Sequence, residues 1–171
     1  MKKNKNIGLI FFVSAFLIIL GGCYSFRGGS VPEHIKTVDI KPIADLSGYG
    51  NPDFKDYFFR QITDVIRRDN SLKIDNDKPD SRLTVKILSI KEDVSATTSG
   101  SQIETERKLT INASIEFFDN VNAKTLAEKS GLSINQTFLI SGLPGSRTEA
   151  AEKCFDILAD EVLNTILESG E

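Results

Sequence analysis

The chain reads as a two-layer α+β domain, a mainly antiparallel or mixed sheet of about four strands with two helices packed on one face. Three stretches carry that expectation. Phe54, Phe58, Ile62, Val65 and Ile66 recur at helical spacing early in the chain, and Ala151, Cys154, Leu158, Val162 and Ile166 do so near its end. Between them, Leu109, Ile111, Ala113, Ile115 and Phe117 alternate strictly with Lys108, Thr110, Asn112, Ser114 and Glu116. Such alternation describes a strand with one buried and one wet face, as in an antiparallel sheet covered on one side.

The elements follow in order. Ile35 to Ile43 is rich in β-formers, with Val38 and Ile40 on one face and Pro42 marking a strand end or edge. Asp45 to Gly50 is a glycine-bearing loop. Asn51-Pro52 opens the first helix, because Asn accepts from the free N–H groups of a helix start and Pro is pre-shaped for the first turn. Asp53 adds a favourable charge at the same end, and the helix should stop near Asn70. Leu72 to Ile74 is short enough to be a minor strand, and Asp75 to Ser81 is a turn. In Arg82 to Val94 the apolar phase changes between Ile87 and Leu88, which predicts a bulge or a two-sided strand. Ser95 to Ser101 is a polar connection; Glu104 to Phe118 and Lys124 to Ile140 are the next strands. Ser141 to Gly145 breaks the chain, and Ser146 with Glu149 gives the S-x-x-E pattern of a capping box before the last helix.

The N-terminus has a different character. Lys2, Lys3 and Lys5 precede the apolar run Ile7 to Leu20, followed at once by Leu20-Gly21-Gly22-Cys23. Positive, apolar and small-residue regions in that order make a secretory signal, and the run is shorter than the roughly 20 residues that a spanning helix needs. The Leu-Gly-Gly-Cys sequence resembles the lipobox of bacterial lipoproteins. It implies cleavage after Gly22 and a diacylglycerol on the Cys23 thiol. The expected organisation is a signal peptide over 1–22, a lipidated cysteine and linker over 23–34, and one domain over 35–171.

Removing three lysines takes the net charge from −3 to near −6. An acidic domain is poorly suited to nucleic acid, whose affinity comes from cations meeting phosphates. It is equally unsuited to adsorbing unaided on an anionic membrane, so the acyl chains must hold it there. With Cys23 committed to lipid, Cys154 has no partner for a disulfide and lies in a helical apolar register, as a small buried hydrophobe would.

Little points to catalysis. His34 is the only histidine and sits next to the linker, where it reads as a surface loop residue. No His/Cys/carboxylate spacing fits a metal site, and no glycine run fits a phosphate loop, so no cofactor is expected beyond the lipid on Cys23. Glu92, Asp93, Glu104 and Glu106 read as a solvated strand end rather than an acid/base pair. The feature best suited to binding is the wet strand face of Lys108, Thr110, Asn112 and Ser114.

From Cys23 the run CYSFRGGSVPEHIKTVDIKP resembles the opening of the LptE family of lipopolysaccharide-assembly lipoproteins, with Tyr24, Phe26, Gly28, Gly29, Pro32, Ile35, Thr37, Val38 and Ile40 at matching places. The later layout is similar too: a helix after a short loop, the Leu72–Ile74 segment, and a strand ending Phe117-Phe118-Asp119. One departure is Pro42-Ile43-Ala44-Asp45, where P-F-x-N is commoner. The resemblance implies a non-enzymatic lipoprotein on the periplasmic face of the outer membrane. It would plug or chaperone a large β-barrel of the LptD type, and a direct contact to lipopolysaccharide is left open. Lys86, Lys91, Arg107 and Lys108 are cations that lipid phosphates would attract. Tyr24-Ser25 after the lipidated cysteine brings no acidic residue of the kind that retains lipoproteins at the inner membrane. The alternative is an accessory lipoprotein of another envelope complex, a pilot protein or a transporter's auxiliary subunit, which would share the same signal and a similar fold.

Overall fold

A computed structural model describes residues 30–97, 104–140 and 146–170. The signal segment and Cys23 therefore lie outside the described residues, as does most of the Ser95 to Ser101 connection. The elements are β1 (Thr37–Ile40), β2 (Ala44–Asp45), α1 (Pro52–Asp69), β3 (Lys73–Ile74), β4 (Ser81–Thr97), β5 (Glu104–Asp119), β6 (Lys124–Leu139) and α2 (Ser146–Leu167), closed by a 3-10 turn over Glu168–Gly170.

The class is α+β, but the sheet has six strands where about four were expected. β3 is the minor strand expected at Leu72–Ile74, whereas β2, of two residues, is too short to leave a periodic pattern. The order is β3-β1-β4-β5-β6, with β2 also pairing with β4. β1 is parallel to β3 and β4, whereas β4, β5 and β6 form an antiparallel meander. A parallel pair needs a crossover, and α1 supplies it between β1 and β4.

Local chemistry explains the helix ends. The Asn51 side chain accepts from the Asp53 N–H at 3.1 Å, with Pro52 in the first helical position. Asn70 ends α1 in the left-handed region (φ 61°), its N–H donating to the Ile66 carbonyl, and Arg67 and Arg68 complement the negative end of the helix dipole. α2 starts at Ser146 as expected, but the capping box does not form. The Ser146 hydroxyl donates to the Leu139 carbonyl at 3.2 Å, and Glu149 pairs with Lys153 at 2.8 Å. The phase change in β4 is a bulge: the register with β5 shifts between Ile87 and Ser89.

Both helices cover the same face of the sheet. Phe155 of α2 meets Phe54, Tyr57 and Phe58 of α1, with ring centroids 5.7, 6.5 and 5.0 Å away. Leu83, Val85, Ile87, Leu109, Ile111, Ala113, Ile115 and Phe117 form the floor beneath them. Cys154 is buried in this core, where desolvation pushes its thiol up to about 11 and leaves it an inert packing group.

Candidate partner face

The helices leave the opposite face of the sheet uncovered by any described element, and strand register decides which side chains meet there. On β5, Lys108, Thr110, Asn112, Ser114, Glu116 and Phe118 point away from the helices, since their neighbours are core residues. Pairing adds Arg82, Thr84, Lys86, Ser89 and Lys91 from β4, and Ser133, Asn135 and Thr137 from β6. Asn112 lies between Ser89 and Ser133, and its amide donates to the Ser89 hydroxyl at 2.8 Å. Thr110 lies between Lys91 and Asn135, and Lys108 between Asp93 and Thr137.

The result is a band of Ser, Thr and Asn across three strands, with Lys86, Lys91 and Lys108 exposed beside it. At one end Arg82 stacks over the Phe118 ring at 4.6 Å. The four residues expected from sequence lie together on this face, but they are only its central column. Ser89, Ser133, Asn135 and Thr137 complete it, and alternation within Leu132 to Ile140 was the signal that would have found the β6 contribution.

Arg107 departs from the expectation that grouped it with the exposed lysines. It is in phase with buried Leu109 and pairs with Phe138, so it faces the helices, 3.5 Å from Glu92. Glu92 is the centre of a polar cluster that closes this end of the core. The Arg147 guanidinium donates to both of its oxygens at 3.0 and 3.1 Å, and the Tyr49 hydroxyl donates to it as well. Burial first, and the bond to the Glu92 carboxylate second, push the Tyr49 phenol up to about 12. Glu92 and Asp93 face opposite sides of the sheet, so these two carboxylates do not converge on one site.

His34 is the exposed turn residue that the sequence suggested, but it is held in place as part of a latch at the other end of the sheet. Asp119, fully buried, accepts the Val121 and Asn122 N–H groups on one oxygen at 2.8 and 3.0 Å. Its other oxygen accepts the Asn122 amide and the His34 ring, both at 2.8 Å. Burial opposes ionisation of Asp119, but these four donors outweigh it and hold the carboxyl well below the usual carboxylate range. An ionised carboxylate only accepts, so Nε2 of His34 carries the proton of that bond. Alongside, Asp80 accepts the Lys36 and Thr37 N–H groups at 2.8 and 3.0 Å, and the first of these bonds leads in lowering its pKa. Together they pin the segment that follows the linker to the sheet end formed by β4, β5 and the β5–β6 turn. Sequence carried no signal for it, because His34 and Asp119 are 85 positions apart.

Among the described residues no cluster of His, Cys, Asp or Glu is placed to hold a metal ion, and no helix is long and apolar enough to cross a membrane. The family model for LptE, lipopolysaccharide assembly, matches residues 35–166. No curated protein matches the chain. Among solved structures, protein XCC0632 from Xanthomonas campestris is similar in fold (TM-score 0.57, 10% identity, 81% of this chain and 88% of that one). So are the hypothetical protein CT253 from Chlamydia trachomatis (0.50, 9%, 77% and 98%) and a minor lipoprotein from Acinetobacter baumannii (0.50, 12%, 77% and 92%). Identities this low speak for the fold alone, whereas the family match spans most of the sequence, and the chain belongs to the LptE lipopolysaccharide-assembly family.

Proposed function

We propose that this chain is a lipid-anchored, non-catalytic subunit of lipopolysaccharide assembly on the periplasmic face of the outer membrane. In this reading it binds a large β-barrel of the LptD type through the open face of β4, β5 and β6. The observation that carries the proposal is the make-up of that face: hydroxyl and amide groups in register over three strands, opposite a fully packed core. The lumen of a membrane barrel is polar and hydrated, and a Ser/Thr/Asn surface enters it without stranding apolar groups in water. Lys108, Thr110, Asn112 and Ser114 are the central contacts, and Lys86 and Lys91 are placed to meet anionic groups of lipopolysaccharide passing beside the face.

Cys23 supplies the anchor. Two or more acyl chains hold stably, at about 0.8 kcal/mol for each buried methylene, and they do so for an acidic domain that an anionic surface would repel. The linker from Cys23 runs to the latch at His34, so the anchored end of the domain is the Asp119 end. No cofactor has a part in this mechanism, which is one of binding rather than turnover.

The test is a mild-detergent purification of the full-length, C-terminally tagged protein from its own outer membrane, with partners identified by mass spectrometry. A near-stoichiometric large β-barrel of the lipopolysaccharide-exporting type is expected. Recovery of a secretin, of a transporter component, or of the lipoprotein alone would overturn the reading.

A further inference from the structure

Among the described residues β6 pairs only with β5, so its other side is a sheet edge. That edge is guarded over half its length. Near its start the register shifts twice, around Leu126 and around Ser130–Gly131, and Gly131 takes φ +75° with open space beside it. Lys124 and Lys129 lie in the same half. Bulges and lysines are what usually keep an edge from templating another strand. From Leu132 to Leu139 these devices stop. LSINQTFL has no charge, no proline and no shift of register, and it extends over about 27 Å. On the opposite side of the sheet β3 has two residues, and the stretch of β4 beyond its pairing with β2 carries the charges of Lys91, Glu92 and Asp93.

α2 adds a second feature. Ser146 bonds to Leu139 and Lys129 pairs with Glu168 at 2.8 Å, so α2 runs back over β6, both spans being about 33 Å. Midway along, Ile157 lies level with Ile134. Eleven residues, close to three turns, separate Ile157 from Glu168, which places it on the β6 side of the helix. Ile157 is 39% exposed, and Leu132 and Ile134 are only half-buried. The unguarded edge therefore has an apolar margin on its helix side and a Ser133, Asn135, Thr137 margin on the other.

We propose that Leu132–Leu139 is an acceptor edge on which an extended, uncharged segment of the barrel partner adds as a further strand. Its apolar side chains would cover Ile157 and Ile134, and its polar ones would continue the Ser/Thr/Asn band. Main-chain hydrogen bonds supply the affinity of such an addition, and alternate side chains set its register. The inference rests on the barrel-binding reading and specifies its mode of contact. A second copy fits the edge less well. Antiparallel pairing about Asn135 sets the two Lys124 ends about 70 Å apart. Each tether leaves from such an end, with ten residues and a reach of at most about 40 Å between Cys23 and His34. With that reach, both anchors enter one membrane only when the paired strands lie within about 35° of its plane, a restriction that a single extended partner segment does not impose.

A photocrosslinking phenylalanine analogue placed singly at Asn135, Ile157 or Lys108 of the full chain, in its own cells, tests this. Adducts between the barrel and both Asn135 and Ile157 are expected, with loss of the Ile157 adduct in a Ser133→Lys, Thr137→Lys variant of unchanged melting temperature. Barrel adducts from Lys108 and Asn135 without Ile157 would overturn strand addition and leave the barrel reading standing. So would an adduct to a second copy at Ile157 if Lys108 still captured the barrel. No barrel adduct from any position would overturn both.

Discussion

On β5, Leu109, Ile111, Ala113, Ile115 and Phe117 are at most 1% exposed, while Lys108, Thr110, Asn112, Ser114 and Glu116, each one residue away, stay partly or fully wet. The same backbone ladder carries both sets. One set meets α1 and α2 and supplies packing; the other meets no described element and supplies chemistry to whatever approaches it. In the proposed reading, stability and recognition are thereby assigned to alternate residues of one strand. Substitutions on the two faces should separate them.

The largest expected effect is on the helix side. Phe117→Ala removes a fully buried ring from the floor of the core and should cost about 4 kcal/mol of unfolding free energy, measured by urea denaturation of the soluble domain. If that cost fell below about 1 kcal/mol, the helix-covered face would not be the source of stability.

Asp119→Asn is next. The amide nitrogen puts a donor where one oxygen accepts from two, so a loss of about 2 kcal/mol is expected at neutral pH. Its pH dependence sharpens the point. A carboxyl held below its unfolded pKa stabilises the fold above about pH 4 and loses that contribution as pH falls further. The wild-type midpoint should therefore drop more steeply below about pH 4 than the variant's, in a denaturation series taken at successive pH values. Parallel acid limbs would remove the His34–Asp119 latch from the account.

The smallest effect on folding is expected on the open face. Thr110→Arg should shift stability by no more than about 0.5 kcal/mol, yet its bulk and charge at the centre of the Ser/Thr/Asn band should abolish recovery of the barrel. Undiminished recovery would move the contact away from this face.

Much of this architecture was legible along the chain because it is written in near-neighbour periodicity. The stripe from Phe54 to Ile66, the alternation from Lys108 to Phe117 and the phase change at Ile87–Leu88 each depend on residues a few positions apart. So do the Asn51-Pro52 helix start and the α+β class. The capping box at Ser146 failed because Ser146 lies inside the first turn of the last helix rather than before it, and Glu149 pairs with Lys153 instead.

What only tertiary structure decided involves partners distant in sequence. β2 exists because β4 offers it a ladder, not because two residues have a pattern. Arg107 turns inward because Glu92 and Phe138 await it there, and His34 acquires a fixed place because the chain returns Asp119 to it. The sequence by itself determined the layers and the wet column on β5. The width of the open face, its Ser89, Ser133, Asn135 and Thr137 members, and the unguarded β6 edge depend on strand register, which arises only when separate segments pair.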